Sequence, residues 1–380
     1  MAEEADFLVL QDGGRFAQPY ASPEGLRDLL TRRLAEARAS VRRRGEELDA
    51  LSDVGQGGGP WRVLALILER RMSKGGRLEV LLEDGRGVLR ATVGEEAEEG
   101  IANLLPDEPA IFRLEERGRR IVVRGVEATG APVHPPSPRP KRRIYAAFVS
   151  DLHCRGSCEG LGRLVHMILE GGIEREVARN LRYIVLGGDV ADCECEDPRR
   201  PYGEVGRLLG RLPEDVVKVI VPGECDAAPA SLPQPPMDRR FRGALEEVPN
   251  AYLLGNPSLV SMSGVRVLIH HGQAVRWAME RLGIRRPALA MRKLLAMRTL
   301  APTLDPMGYA AFPPGLEGME LRYLPDVFHA GHTHRADALR SENVLLLSTP
   351  SWNNGGWPRI PRVAIVDLST LDVIWRGPIT

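Results

Sequence analysis

The stretch Phe148-Val149-Ser150-Asp151-Leu152-His153 joins an apolar segment to a carboxylate and an imidazole that are two residues apart. The apolar residues 144–150 predict a short buried β-strand. Side chains two residues apart on an extended chain point to the same side, so we expect Asp151 and His153 to reach one point together. The stretch therefore predicts a strand that delivers two metal-ligand side chains at its carboxyl end.

Four further apolar segments end in the same way. They are residues 183–186 before Gly187-Gly188-Asp189, 216–221 before Pro222-Gly223-Glu224-Cys225-Asp226, 265–269 before His270-His271, and 327–329 before His332-Thr333-His334. Open α/β sheets bind their ligands beyond the carboxyl ends of the strands. Carboxylate and imidazole groups are common ligands of divalent transition metals. The five segments together predict an α/β fold with a site for two metal ions.

The length and composition indicate a multidomain globular protein. A chain of 380 residues exceeds one compact core and predicts two or three domains. Its 43% hydrophobic and 27% charged residues include no apolar run of the ~20 residues that a membrane helix needs. The amino terminus lacks the basic-then-apolar order of a signal peptide. We therefore expect a cytoplasmic protein without a membrane partner. Because the formal net charge is zero, total charge does not indicate a nucleic-acid partner.

Changes in hydrophobic period divide the chain into four parts. Residues 1–55 carry leucines at helical spacing and predict an N-terminal helical segment, or a helical pair broken near Gly45, that packs on its own chain or binds a partner. Residues 60–130 predict three strands, a helix and two strands, which is the order of an OB-fold barrel. Residues 131–141 predict a stiff Pro-rich linker, and residues 142–380 alternate strands with helices.

The barrel is more consistent with a scaffold than with a surface for single-stranded nucleic acid. OB barrels that bind single strands stack the bases on aromatic side chains. Trp61 and Phe112 are the only aromatic residues between positions 60 and 130. This part of the chain therefore has few groups on which bases could stack.

All five cysteines follow the strands that carry the candidate ligands. They are Cys154, Cys158, Cys193, Cys195 and Cys225. Their spacing does not match a zinc finger, so a separate zinc site is disfavoured. Buried thiols or a disulfide are expected instead.

The ordered motifs Asp-x-His, Gly-Asp-x-x-Asp, Gly-x-x-Asp, His-Gly and Gly-His-x-His resemble those of the calcineurin-like metallophosphoesterases. This resemblance covers residues 144 to about 350. Residues 222–227, 232–235 and 362–368 further resemble the small subunit of archaeal D-family DNA polymerase. This second resemblance covers most of residues 60–380. It implies an α/β fold in which an OB-fold barrel precedes a metallophosphoesterase β-sandwich flanked by helices.

The resemblance also implies the ligands and the ions. Asp151, His153 and His334 would hold one metal, His271 and His332 would hold the second, and Asp189 would bridge both. Glu224 stands where the family has a further ligand. Mn²⁺ is the first expectation for the two divalent ions, with Fe, Zn or Mg as alternatives. Asp192 is expected to support the site or cap a loop, and His270 to be a neighbour of the ligands.

One motif departs from the family pattern. The family has Gly-Asn-His-Asp where this chain has Gly223-Glu224-Cys225-Asp226. In the family the histidine contacts the scissile phosphate and the aspartate orients that histidine. A thiol is a weaker hydrogen-bond donor, and Asp226 has no imidazole beside it to orient. We therefore expect catalysis to be limited at Cys225 and Asp226, not at the metals.

The family implies a 3′-to-5′ proofreading exonuclease that acts on DNA and forms a heterodimer with the large catalytic subunit of the polymerase. Two alternatives stay open. In the first alternative, the chain is a catalytically reduced structural B subunit of the polymerase. In the second, it is a free-standing metallophosphoesterase that acts on another phosphate ester.

A basic segment follows His271. Residues 276–298 carry seven arginine or lysine residues and one acid, Glu280. Such an excess is suited to a phosphate backbone, and Arg285 and Arg286 are the candidate DNA contacts. The alternative is a solvated helix face whose charges pair with acids elsewhere in the chain.

Overall fold

The computed structural model describes residues 6–16, 23–57, 59–129, 135–301, 316–352 and 362–377. The strands of these residues form a closed five-stranded barrel and two six-stranded sheets. The expected α/β fold, with an OB-type barrel ahead of a two-sheet sandwich, is confirmed.

The N-terminal part contains β1 (Phe7–Asp12) and α1 (Pro23–Arg43). Strand β1 pairs antiparallel with residues 258–262 and so extends a sheet of the C-terminal part. The sequence did not predict β1, because its short run of consecutive apolar residues shows no alternation. The sequence also left open a helical pair, but α1 is one helix that ends at Arg43.

Helix α1 is held between the barrel and the sandwich. Leu34 and Val41 are buried against Leu64, Leu66 and Ile111 of the barrel. On the other side, the buried guanidinium of Arg33 donates hydrogen bonds to the sandwich part of the chain. Its acceptors are Thr299 Oγ1 at 3.0 Å, the Ala301 carbonyl at 2.6 Å and Glu320 Oε1 at 2.9 Å. The apolar face of α1, as far as its side chains are described, is thus occupied by its own chain.

The barrel consists of β2 (Trp61–Met72), β3 (Leu78–Glu83), β4 (Val88–Val93), α2 (Glu95–Ala102), β5 (Ala110–Arg117) and β6 (Arg120–Ala128). Its strand order is β2-β3-β4-β6-β5, closed by the pairing of β2 with β5. Trp61 is 6% exposed and Phe112 is fully buried, both in the barrel core. Neither aromatic ring is therefore available on the surface to stack a base.

The described part of residues 142–380 begins with β7 (Tyr145–Val149), α3 (Glu159–Glu170), α4 (Arg175–Asn180), β8 (Leu181–Gly187), α5 (Arg199–Leu209), β9 (Val217–Val221), α6 (Gly243–Glu246), β10 (Ala251–Leu253), β11 (Ser258–Met262) and β12 (Val265–His270). It continues with α7 (Gln273–Leu282), α8 (Pro287–Met297), α9 (Leu316–Met319), β13 (Val327–Ala330), β14 (Asp337–Ser341), β15 (Val344–Ser348), β16 (Val363–Asp367) and β17 (Asp372–Arg376).

Two sheets pack face to face in this part. One has the order β1-β11-β12-β13-β15-β14 and the other β10-β9-β8-β7-β16-β17. Their shared core includes Phe148, Val185, Val219, Ile269 and Leu347. Helices α3 and α5 cover the outer face of one sheet, and α7 and α8 cover that of the other. Strands buried on both faces are near-continuously apolar, which explains why the sequence alone indicates them.

The strand directions place the candidate site. Strands β7, β8 and β9 run parallel, and β12 runs parallel to β13. The carboxyl ends of these five strands meet at one edge of the sandwich. Every candidate metal ligand lies in a loop that begins at this edge.

The described half of the linker is fixed to the sandwich. The backbone N–H of Ser137 donates to Asp326 Oδ1 at 3.0 Å, and Arg266 Nε donates to Ser137 Oγ at 2.8 Å. Asp326 is fully buried. Residues 130–134 lie outside the described residues. In the parts of the chain that the structure describes, no helix has the length and apolar character needed to span a bilayer.

The contacts of Arg33 generate a stability prediction. Arg33→Met removes the buried cation and leaves the Glu320 carboxylate, which is 15% exposed, without this partner. We expect the free energy of unfolding to fall by about 3 kcal/mol, measured by chemical denaturation. The control Arg32→Met changes an exposed residue on the same helix and should cost under about 0.5 kcal/mol. Equal effects of the two changes would show that Arg33 does not hold α1 in place.

Candidate metal centre

Five of the candidate ligands have left-handed backbone conformations. Their φ angles are 55° for Asp151, 45° for His153, 51° for Asp189, 60° for His332 and 53° for His334. L-residues rarely adopt this region, and each such residue costs free energy that the surrounding structure must offset. All five lie just beyond the ends of β7, β8 and β13. Backbone strain is therefore concentrated where the five strands converge.

Two glycines let the ligand loops approach one another. Gly188 has a φ of 94°, a conformation that glycine adopts without steric cost. A Cβ atom on Gly223 would collide with Asp189 and with the ring of His271. The backbone of the loop after β9 therefore packs directly against the Asp189 side chain of the loop after β8. In the same contact, the Cys225 N–H donates a hydrogen bond to Asp189 Oδ1 at 2.9 Å.

Asp189, Glu224, His271 and His332 form a first cluster, in which one ligand atom of each lies within 4.8 Å of the others. His271 Nε2 lies 2.9 Å from Glu224 Oε2 and 3.4 Å from Asp189 Oδ2. His332 Nδ1 lies 2.6 Å from Glu224 Oε1. The Glu224 carboxylate thus spans the two imidazoles.

The backbone orients His271 toward this cluster. Its Nδ1 is 2.8 Å from the carbonyl oxygen of Gly187, so Nδ1 is the donor and Nε2 faces the carboxylates. The N–H of His271 also donates to Asn256 Oδ1 at 3.0 Å. A hydrogen bond on the far nitrogen is the usual arrangement of a metal-binding histidine, because it fixes the tautomer and the ring.

Asp151, His153 and His334 form a second cluster. His334 Nε2 lies 3.2 Å from Asp151 Oδ1 and 3.4 Å from His153 Nε2. The other cluster is close, because His153 Nε2 is 3.9 Å from Asp189 Oδ2. Asp189 thus lies between the two clusters.

The electrostatics of the two clusters stabilise positive charge. Burial alone would raise the pKa of Asp151, but His334 and His271 lower it below its usual value. Burial would likewise lower the pKa of His271, but Asp189 and Glu224 raise it well above its usual value. His334 also has a raised pKa, chiefly through its hydrogen bond to Asp151. The carboxylates at this edge therefore favour a cation.

These residues fit divalent metal ions. Glu224 Oε2 and His271 Nε2 are both buried and lie 2.9 Å apart, but neither atom forms a hydrogen bond of normal geometry, and buried polar atoms normally have one. A cation between them would supply the missing partner. Mixed imidazole and carboxylate ligands suit Mn, Fe or Zn better than an all-oxygen Mg²⁺ site.

The structure pairs four of the five cysteines, consistent with the expectation of buried thiols or a disulfide. Disulfides join Cys154 to Cys158 and Cys193 to Cys225, and Cys195 is a free thiol. The sequence alone presents Cys225 as a thiol at the position of a phosphate-contacting histidine. In the structure its sulfur is bonded to Cys193 and donates no hydrogen bond.

Asp226 holds two loops together. Its carboxylate accepts the backbone N–H groups of Gly223 and Ala191, both at 2.9 Å, and the hydroxyl of Tyr202 at 3.1 Å. Only 5% of the residue is exposed. With no imidazole to orient, it positions the loops after β8 and β9, on which Asp189 and Glu224 lie.

Asp192 and His270 lie beside the clusters. Asp192 Oδ1 accepts the N–H of Glu194 at 2.9 Å, and its other oxygen lies 3.3 Å from Arg155 Nε. It therefore caps its loop. His270 is buried, with Nδ1 2.8 Å from Asn256 Oδ1, and neither residue contributes to the two ligand clusters.

A cleft of about 940 Å³ opens onto the ligands and is called the site cleft below. His153, His332 and His334 form part of its wall, and so do Arg155, Arg276, Arg285 and Arg335. Arg155 pairs with Glu194 at 2.7 Å and Arg276 with Glu280 at 2.9 Å. Within the described ranges, no carboxylate lies at ion-pair distance from Arg285 or Arg335. Arg335 Nη1 donates to the carbonyl oxygen of Arg285 at 2.6 Å, so these two residues are held together.

The other basic residues of segment 276–298 are paired more often than the sequence indicated. Arg286 forms an ion pair with Asp337 at 2.8 Å and does not line the site cleft. Lys293 pairs with Glu108 of the barrel at 2.7 Å, and Arg298 with Glu36 of α1 at 3.2 Å. The alternative of charges paired with acids elsewhere in the chain therefore describes these three residues. Arg285 is the one of the two candidate DNA contacts that lies in the cleft.

Several supporting residues were not identified from the sequence. Asn256 binds both His270 and His271, and it also donates to Gln234 Oε1 at 2.7 Å. Arg155 and Arg335 lie in the site cleft. Each follows a candidate ligand by one or two positions along the chain. That proximity to His153 and His334 is the signal by which they could have been found.

The surroundings of Asp226 generate a pH prediction. Burial, and then the negative charge of Asp189, raise the pKa of Asp226 from 3.8 to about 6. The unfolded chain loses this proton near pH 3.8 and the folded chain near pH 6, so the stability contributed by Asp226 falls as the pH rises between these values. We expect the unfolding free energy of the metal-free wild type, minus that of Asp226→Asn, to fall by up to about 3 kcal/mol over this range. A difference that stays constant with pH in chemical denaturation would contradict this assignment.

Comparison with known proteins finds sequence similarity to subunits of DNA polymerases. Residues 199–338 match the B-subunit family of DNA polymerases alpha and epsilon. The DNA polymerase II small subunit of Pyrococcus furiosus is 27% identical over 263 residues, which cover 62% of this chain and 43% of that protein. The DNA polymerase II small subunit of Methanothermobacter thermautotrophicus is 26% identical over 322 residues, which cover 77% of this chain and 64% of that protein. The chain thus matches about half of the length of these curated relatives.

Solved structures show a weaker similarity. A phosphoesterase from E. coli, Yfce, is 15% identical with a TM-score of 0.32, over 62% of this chain and all of that protein. An archaeal phosphodiesterase is 14% identical with a TM-score of 0.35, over 62% of this chain and 99% of that protein. At these scores the fold assignment depends on the strand order and the sheets described above. By its sequence, the chain is similar to the small subunits of archaeal DNA polymerase II.

Proposed function

We propose that this chain is the small subunit of a D-family replicative DNA polymerase and that its metal centre hydrolyses phosphodiester bonds at the 3′ ends of DNA. The observation that supports this proposal is the convergence of seven ligand side chains from five strand ends beside one cleft, whose wall includes His153, His332 and His334. Two divalent ions would occupy the two clusters, and Mn²⁺ is the first expectation for both. The reaction would remove misincorporated nucleotides in the 3′-to-5′ direction.

Each residue has a role in this proposal. Asp151, His153 and His334 would hold one ion, Glu224, His271 and His332 would hold the other, and Asp189 would serve both. When bound, a pair of divalent ions lowers the pKa of a water molecule and neutralises charge on the attacked phosphate. The Gly187 carbonyl and Asn256 fix His271, while Asp226 fixes the loops of Asp189 and Glu224. Arg285 and Arg335, which have no carboxylate partner in the described chain, bind DNA phosphates in the site cleft.

The proposed partner is the large catalytic subunit of the same polymerase, in a heterodimer. The relatives named as small subunits support this partner, and so does the barrel ahead of the sandwich. Because the barrel buries Trp61 and Phe112, we propose that it serves as a scaffold. These features favour a polymerase subunit over a free-standing phosphoesterase that acts on another ester.

A second candidate is a structural B subunit with reduced catalysis. The observation that favours it is the Cys193–Cys225 disulfide. Cys225 stands where the family resemblance requires a phosphate-contacting histidine, and a disulfide sulfur cannot donate a proton. Metal binding is then retained for stability while the chemical step is slow.

The two candidates differ in the response to substitution of residues 224 and 225. We expect the double change Glu224→Asn and Cys225→His to raise Mn²⁺-dependent 3′-to-5′ exonuclease activity on labelled DNA. A restored imidazole donates a hydrogen bond to the leaving group, and a general acid of this kind is worth roughly 10²–10⁴-fold in rate. The control Cys193→Ser opens the disulfide without adding an imidazole, so it should give no such gain. Asp189→Ala should abolish all metal-dependent activity.

High wild-type activity would contradict this prediction if Asp189→Ala abolishes it and the double change does not improve it. Glu224 and Cys225 would then be working parts of a variant site. Absence of nuclease activity from the wild type and from the double change, with metal binding intact, would leave the structural subunit as the function.

The proposed DNA path can be tested with two neighbouring arginines. Arg285→Ala removes a charge from the site cleft, whereas the matched control Arg286→Ala removes a charge that is paired with Asp337 outside it. We expect Arg285→Ala to reduce by about one the slope of log K against log salt concentration for DNA binding. Arg286→Ala should leave the slope near the wild-type value. Equal slopes for all three proteins would exclude Arg285 from the DNA path.

A further inference from the structure

A third group of ligand atoms overlaps the two clusters. Cys225 Sγ and one ligand atom each of His153 and Asp189 lie within 4.8 Å of one another. Neither the proposed nuclease chemistry nor the family pattern uses this sulfur as a ligand. In the structure the sulfur is occupied by its bond to Cys193.

The position of Cys225 does not depend on that disulfide alone. Its N–H donates to Asp189 Oδ1 at 2.9 Å. The preceding residue, Glu224, contacts His271 and His332. The following residue, Asp226, accepts hydrogen bonds from the N–H groups of Gly223, Val190 and Ala191 and from the Tyr202 hydroxyl. Opening the disulfide therefore leaves the backbone of Cys225 beside the metal ligands.

The disulfide is accessible from the site cleft. Cys193 is exposed and forms part of the cleft wall, next to Asp192. A reductant that enters the cleft can reach its sulfur without unfolding the chain. Reduction by a phosphine breaks the S–S bond and adds two electrons, and each sulfur takes up a proton. The phosphine is oxidised to its oxide with an oxygen atom from water, which also supplies the two protons.

We propose that the Cys193–Cys225 disulfide controls which metal the centre selects, because reduction makes Cys225 a thiolate ligand beside His153 and Asp189. Thiolates are soft ligands that favour Zn²⁺, whereas Mn²⁺ prefers oxygen and imidazole ligands. In the oxidised chain, an ion in the second cluster would have Asp151, His153, His334 and Asp189 as ligands. The reduced chain adds the Cys225 thiolate to that set. The inference rests on the metal centre of the proposed function but not on its nuclease activity.

The experiment compares the full chain before and after treatment with a phosphine that is then removed without air. Zn²⁺ and Mn²⁺ are titrated against both forms, and Co²⁺ is added separately as a spectroscopic probe. We expect reduction to raise the affinity for Zn²⁺ relative to Mn²⁺ by at least about tenfold. The reduced protein with Co²⁺ should show a near-ultraviolet thiolate-to-metal charge-transfer band that the oxidised protein lacks.

Three variants assign the effect to one sulfur. Cys193→Ser leaves Cys225 free and should show the band and the higher Zn²⁺ preference without any reductant. Cys225→Ser should show neither in either redox state. The matched control is Cys195→Ser, since Cys195 Sγ contacts the carbonyl oxygens of Arg155 and Asp197 and belongs to no ligand cluster. It should behave as the wild type does.

Two outcomes would overturn the proposal. One is a preference for Zn²⁺ over Mn²⁺ that is the same in the oxidised wild type, the reduced wild type and Cys193→Ser, although all three proteins bind metal. In that case the metal centre of the proposed function is retained and only its control by the disulfide is refuted. The other is a charge-transfer band that persists in reduced Cys225→Ser, because another thiol would then be the ligand. A redox response in a protein without nuclease activity supports the inference and refutes only the exonuclease.

Discussion

The buried carboxylate of Asp151 is where the two sheets of the sandwich are joined at the site. It accepts the backbone N–H of His332 at 3.0 Å and lies 3.2 Å from His334 Nε2. It thereby links the loop after β7 in one sheet to the loop after β13 in the other. A buried charge is costly unless it is compensated, and here positive charge on His334 and His271 provides the compensation. A metal ion would provide it at the same point, so the interaction that aligns the sheet edges also shapes the candidate metal centre.

The loops at this edge contain strained backbone conformations, which lower local stability but place the ligand side chains. Asp151, Asp189 and His332 adopt left-handed conformations, which nonglycine residues hold only when their surroundings impose them. These surroundings include hydrogen-bonded side chains of residues that are not ligands themselves. Asp226 gathers backbone N–H groups from the loops after β8 and β9, and Asn256 holds the backbone of His271. Precise ligand placement therefore depends on these supporting groups as much as on the ligands.

The sequence predicted the features that are encoded locally. The buried strands are apolar runs, and Asp151 with His153 is a pair two residues apart, so both can be recognised without knowing the fold. Features that depend on distant residues were not predictable in this way. The Cys193–Cys225 disulfide joins positions that are 32 residues apart, and Arg33 finds acceptors more than 260 residues away. Arg286 resembled Arg285 in sequence but pairs with Asp337, which only the packing of α8 beside β14 could reveal.

The departures at Glu224 and Cys225 act on the centre in opposite directions. Glu224 places a carboxylate across His271 and His332 where the family has a neutral amide, so it adds negative charge that favours a bound cation. Cys225 replaces an imidazole and removes a strong hydrogen-bond donor from the phosphate position. Because both residues lie in one loop fixed by Asp226, neither change disturbs the placement of the other ligands. Under the proposed function, a centre altered in this way would bind ions more strongly and contribute less to bond cleavage, and its chemistry would depend on which ion the neighbouring sulfur allows it to hold.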